Sequence, residues 1–169
     1  MPSFNRYLDR WRHRILSYAG NTELRDHLIR SEASYVDFRL SASQMDALNA
    51  TVVTVLPAPG VGLANLVEDV AYWVSAGTTA FELGSGTLDL RYGTSAGALV
   101  SQLPNASVEA AAGTSAYYYD RPADVAPSLN SPIVASASTD VTAGGGAVMG
   151  RIYYRTIRFS ELVNPSQNT

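Results

Sequence analysis

The chain of 169 residues contains neither cysteine nor lysine. Without cysteine there is no thiol nucleophile, no thiolate zinc site and no disulfide. All twelve basic residues are arginine, which reads as a bias of genomic composition. Histidine is scarce as well: His13 and His27 are the only two, and both lie near the start. Charged residues make up 16% of the chain, against roughly 25% in an average soluble domain. A formal net charge of −3 argues against a nucleic-acid partner. No run of about eighteen apolar residues is present, so neither a transmembrane helix nor a membrane partner is expected. The first residues lack the apolar stretch of a secretory signal, and Asp9, Glu23 and Asp26 argue against an acid-poor transit peptide. The length suits one domain with an appended arm.

What is present divides at about residue 34. Over residues 3–18, Phe4, Tyr7, Leu8, Trp11, Ile15 and Tyr18 recur at spacings of three and four, which predicts an amphipathic helix. Ser3 is placed to cap it and Gly20 to end it. Arg6, Arg10 and Arg14 run beside the apolar stripe. A second short helix is predicted from Asn21 or Thr22, with Glu23 and Asp26 in its first turn. A lone helix of about fifteen residues is marginal in water, so this arm, residues 1–34, needs something to dock on. Residues 1–40 hold seven arginines against five acids, and the remainder five against ten. The front is basic and the body acidic.

From Tyr35 the texture changes to short runs rich in Val, Thr, Tyr and Leu between Gly, Pro, Ser and Asn clusters. The runs are 35–40, 50–56, 66–75, 79–83, 87–93, 98–103, 115–120, 132–138 and 147–159. No 10–15-residue helical pattern separates them, which excludes βαβ units. The expected fold is mainly β: an antiparallel, jelly-roll-like β-sandwich over residues 35–160, with an N-terminal α-helical arm and a frayed tail at 161–169. In TLDLRY, Leu88, Leu90 and Tyr92 should face the core, with Asp89 on the wet side. The final run is the longest, and Arg151, Arg155 and Arg158 read either as edge protection or as partner contacts.

Two glycine motifs invite a catalytic reading. GVGLAN (60–65) resembles a dinucleotide loop, but a β-branched, aromatic run follows where a helix must open. It reads better as a tight connection between antiparallel strands, with its glycines at positive φ. GTSAG (93–97) matches the nucleophile-elbow pattern, but no helix and no later histidine follow Ser95, so a glycine-rich hairpin loop is expected. Glu68 and Asp69, adjacent on a strand, should face opposite sides. Glu82 with Asp89 is a carboxylate pair that only the fold could assemble. No metal or cofactor site is expected, and the chain is not expected to be an enzyme. The aromatics say more. Tyr72–Trp73, Tyr117–Tyr118–Tyr119 and Tyr153–Tyr154 are consecutive on strands, so each group must leave at least one ring pointing away from a single core.

The stretches MDALNATVVTVLPAPGVGLANLVEDV, TAFELGSGTLDLRYG and GGGAVMGRIYYRTIRF together resemble small β-sandwich structural proteins of tailed-phage virions, including capsid decoration or cement proteins. The resemblance covers about residues 45–159. It implies a non-enzymatic, oligomeric virion component, a trimer among the candidate states, bound to the major capsid protein or other virion proteins. The expected role is to stabilise contacts between capsid subunits in the phage particle. The residues expected to bind partners are Tyr7, Leu8, Trp11 and Arg14 of the arm, with Tyr118 and Arg155 of the β domain. The alternative is a carbohydrate or receptor recognition module of a tail fibre, using exposed Tyr and Trp as stacking platforms.

Overall fold

The computed structural model describes residues 34–75, 77–109, 115–120, 122, 125–142 and 144–158; within these, the side chains of 115–117 are not described. The predicted arm, with Tyr7, Leu8, Trp11 and Arg14, and the tail at 161–169 lie outside the described residues.

Eight strands and two very short helices make up the described elements: β1 Ser34–Ser41, α1 Ala42–Ala47, β2 Val53–Leu56, β3 Leu63–Ser75, β4 Thr87–Tyr92, β5 Leu99–Pro104, α2 Asn105–Val108, β6 Ser115–Asp120, β7 Ile133–Ala137 and β8 Ala147–Arg158. They form two four-stranded sheets, ordered β1-β8-β3-β6 and β2-β7-β4-β5. Every pairing is antiparallel. Alternating residues of both sheets enter one apolar cluster. The first sheet supplies Phe38, Leu40, Val70, Tyr72, Val148 and Ile152; the second supplies Leu56, Leu88, Leu90, Tyr92, Ile133 and Ala135. The predicted inward set of β4 is the observed one.

Hydroxyls tie the two sheets together across this core. Tyr92 of β4 donates to the Asn65 carbonyl of β3 at 2.7 Å. The Tyr72 hydroxyl of β3 is 2.7 Å from Ser101 Oγ of β5, and Ser101 Oγ donates to Asp120 Oδ2 of β6 at 2.6 Å. Buried hydroxyls need such partners to avoid a desolvation cost. Burial pushes the Tyr92 phenol up to about 12, and burial also raises Tyr72, with the Ser101 hydrogen bond opposing it.

Four details depart from the sequence reading. The run at 79–83 is no strand: Glu82 makes one isolated bridge to Thr142, although Phe81 and Leu83 are buried in the core. The segment 57–62 crosses from one sheet to the other, because β2 pairs β7 and β3 pairs β8 and β6; it is not a hairpin turn. Gly60 and Gly62 do take positive φ, at 109° and 76°. β8 is interior up to Tyr154, so Arg151 protects no edge; among the described residues β1 ends opposite Tyr154, and Arg155 and Arg158 lie beyond it. Finally, α1 was not anticipated; Ser41 caps it in a reciprocal box with Gln44.

Candidate functional site

The outer face of the first sheet is built by register. Tyr35, Asp37 and Arg39 of β1 stand opposite Tyr153, Arg151 and Met149 of β8. Those in turn stand opposite Asp69, Ala71 and Trp73 of β3, and Ala71 stands opposite Tyr119 of β6. The alternation argument holds ring by ring. Tyr72 is 2% exposed and Trp73 is 40% exposed. Tyr118 packs on the core, its ring centroid 6.3 Å from that of Tyr72, while Tyr119 is 58% exposed. Tyr154 packs inward, and Tyr153 lies 6.4 Å from the exposed Tyr35 ring.

Charge is organised on the same face. Arg151 grips Asp37 with two parallel bonds, Nε to Oδ1 at 2.6 Å and Nη2 to Oδ2 at 2.9 Å. Its guanidinium carbon sits 4.3 Å from the Tyr35 ring centroid. The Arg151 hydrogen bond holds the Asp37 carboxyl below its ordinary value, and Asp37 raises Arg151. Ala71 is small amid large neighbours, and around it opens a groove of about 690 Å³. Arg39, Ala71, Trp73, Met149, Arg151 and Tyr153 line it.

Further along, a bulge at Glu68 breaks the alternation of β3, with Val67 opposite Tyr154 and Asp69 opposite Tyr153. Glu68 and Asp69 therefore do not take opposite faces as expected: Glu68 bonds Arg155, two residues from Tyr153 on β8, and Asp69 faces Tyr153 itself. Arg155 is thus engaged in an ion pair within its own sheet, and Tyr118 faces inward.

The outer face of the second sheet is different. Asp89, expected on the wet side, is 2% exposed. Its Oδ1 accepts from Thr87 Oγ1 at 2.9 Å and Gln102 Nε2 at 3.1 Å; its Oδ2 accepts from Arg91 Nη2 at 2.8 Å and Nε at 3.1 Å. Arg91 also donates to the Gly97 carbonyl at 3.0 Å. This commits Asp89 to its neighbours, while Glu82 sits at its bridge to Thr142 in a separate cavity with Glu109 and Asp140. Glu109 there accepts from the Leu83 amide, and Asp140 accepts from Asn49.

GTSAG forms the loop of the β4–β5 hairpin, with Ser95 exposed. A Cβ on Gly97 would fall 1.7 Å from the Tyr92 carbonyl oxygen, so glycine there serves the tight turn. At the crossing 57–62, Val61 is 92% exposed. Beside it, Leu129 is 43% exposed and bridges Ala64, and Asn130 donates from its amide to the Leu63 carbonyl and accepts from the Gly60 amide at 3.1 Å. Asn65 Nδ2 holds the Pro57 carbonyl at 3.1 Å. The result is an apolar tip on a hydrogen-bonded base. Among the described residues, no helix is long and apolar enough to cross a membrane.

No family model matches the chain, and no curated protein matches it. Two solved structures are similar at low identity. One is a chain of the capsid asymmetric unit of cyanophage Pam1, 20% identical over 73% of this chain and 82% of that chain, with a TM-score of 0.43. The other comes from the disulfide-linked pili of Bacillus endospore appendages, 16% identical over 73% of this chain and 84% of that chain, with a TM-score of 0.33.

Proposed function

We propose that this chain is a non-enzymatic structural protein of a phage particle, a capsid decoration or cement protein that acts as an oligomer and joins neighbouring capsid subunits. Its β domain is read as a jelly-roll sandwich. The orders β1-β8-β3-β6 and β2-β7-β4-β5 support that, since the chain alternates between sheets at every step except β4 to β5. The sequence resemblance over residues 45–159 supports the virion role. The observation that carries the mechanism is the Val61–Leu129 tip. Water meets 92% of Val61, yet the turn beneath it is pinned by Asn130 and Asn65. A rigid apolar knob loses little entropy when it enters a partner's pocket, and such preorganised anchors dominate interface energies.

The test is co-sedimentation of the full chain with emptied particles of its own phage. Saturable binding with a Kd of about 1 μM or tighter is expected, weakened about tenfold or more by Val61→Asp. Thermal melting of Val61→Asp should match the parent, because the side chain is solvent-facing. Failure of the parent chain to bind particles would sink the reading, as would labelling of Ser95 by a fluorophosphonate.

A further inference from the structure

The geometry points to a second binding function: the groove over Ala71 on the outer face of the first sheet takes an acidic saccharide. A sugar ring has one apolar C–H face and a rim of hydroxyls, so its site needs an aromatic platform beside planar polar groups. The groove supplies both. Trp73, 40% exposed, flanks Ala71 along β3, and Tyr153 closes the other side. The Asp37–Arg151 fork fixes a carboxylate and a guanidinium at the rim, with Tyr153 beside the same guanidinium, so a ligand hydroxyl meets polar groups already oriented. Holding that fork in place before binding removes an entropy cost.

Charge selects the acid. Arg39 is exposed, lines the groove and has no carboxylate partner among the described residues. Asp37 offsets Arg151, so the lining carries one uncompensated positive charge, and Asp69 lies one step beyond Tyr153, outside the lining. A uronate or sialyl-type carboxylate would meet Arg39 by a charge-assisted bond while the ring stacks on Trp73. A depression set by one small residue among large ones suits a sugar ring better than a flat protein contact, which needs about 800 Å² from each partner. This inference stands apart from the virion reading and uses none of its residues.

The experiment is calorimetric titration of the full chain with trigalacturonate and its trimethyl ester, and with 3′-sialyllactose and lactose. At least one acid should bind with a Kd of about 0.1–1 mM, and its neutral counterpart about tenfold more weakly. Trp73→Ala should abolish that binding while circular dichroism shows the fold retained. Arg39→Gln should erase the preference for the acid; it carries the test alone if Trp73→Ala fails to fold. Absence of heat with all four sugars would overturn the proposal. So would equal affinity for acid and neutral forms, or binding that survives Trp73→Ala. If Trp73→Ala instead lowers the sedimenting mass of the protein alone, the face is occupied by a second copy and the proposal falls.

Discussion

The two sheets match in strand number and in antiparallel pairing, but their outer faces are built from opposite materials. At the centre of the second sheet, a carboxylate is turned outward and then enclosed: Thr87, Arg91 and Gln102 fill its acceptor sites until 2% of Asp89 remains exposed. β7 is buried along its whole length, Val134 and Ser136 included. On the first sheet, the corresponding centre is Ala71, bordered by Trp73, Tyr119 and Arg151. There Tyr35, Trp73 and Tyr119 stay partly in solvent, and the Asp37–Arg151 ion pair stands at the surface. Polar groups that satisfy each other offer little to a ligand; exposed rings beside oriented charges do. The difference teaches where to look for recognition on this molecule.

The largest effect should come from opening the enclosed face. Asp89→Ala leaves Arg91 without its carboxylate and takes the shorter of two hydrogen bonds from both Thr87 and Gln102, and should cost about 3 kcal/mol in urea unfolding. A loss below about 0.5 kcal/mol would mean that the network is not a unit. Next, Tyr72→Phe removes the hydroxyl that links the sheets through Ser101 and Asp120, and should cost about 1 kcal/mol by the same measurement. On the open face the stability effects should be small. Trp73→Ala should cost no more than about 1 kcal/mol, because 40% of the residue stays in solvent. Arg151→Gln should lower the denaturation midpoint only slightly while moving a titration. The folded-state value of Asp37 lies below the ordinary 3.8, so the pair helps the fold above that pH and loses its effect as pH falls through the folded value. In the variant the Asp37 carboxyl should titrate near 3.8, which carboxyl NMR shifts would read. An unmoved titration would show that Arg151 does not hold it.

Part of this contrast was legible in the residues. Adjacent aromatics at 72–73, 118–119 and 153–154 require an outward ring, and the structure provides one in each pair. Which ring it would be was not legible, because parity is set by the register between strands; opposite Tyr72 and Ala71 of β3, Tyr118 turned inward and Tyr119 outward. The i, i+2 spacing of Thr87, Asp89 and Arg91 was visible, yet burial of Asp89 also requires Gln102 from the next strand. The bulge at Glu68 leaves no mark in sequence, and it reversed the expected separation of Glu68 and Asp69. The SASQ capping box of α1 was readable and concealed only by the surrounding strand texture. The glycines of GTSAG were correctly read as turn formers, whereas the crossing at 57–62 needed the sheet order to be seen.

Hydroxyl-radical footprinting of the full chain, alone and on emptied phage particles, puts the account to its most direct test. On the particle, protection should appear at Val61 and Leu129, while Trp73 and Tyr119 stay reactive and the rates at Arg91 and Gln102 remain unchanged. Protection centred on Arg91 and Gln102, with Val61 as reactive as in the free protein, would contradict it.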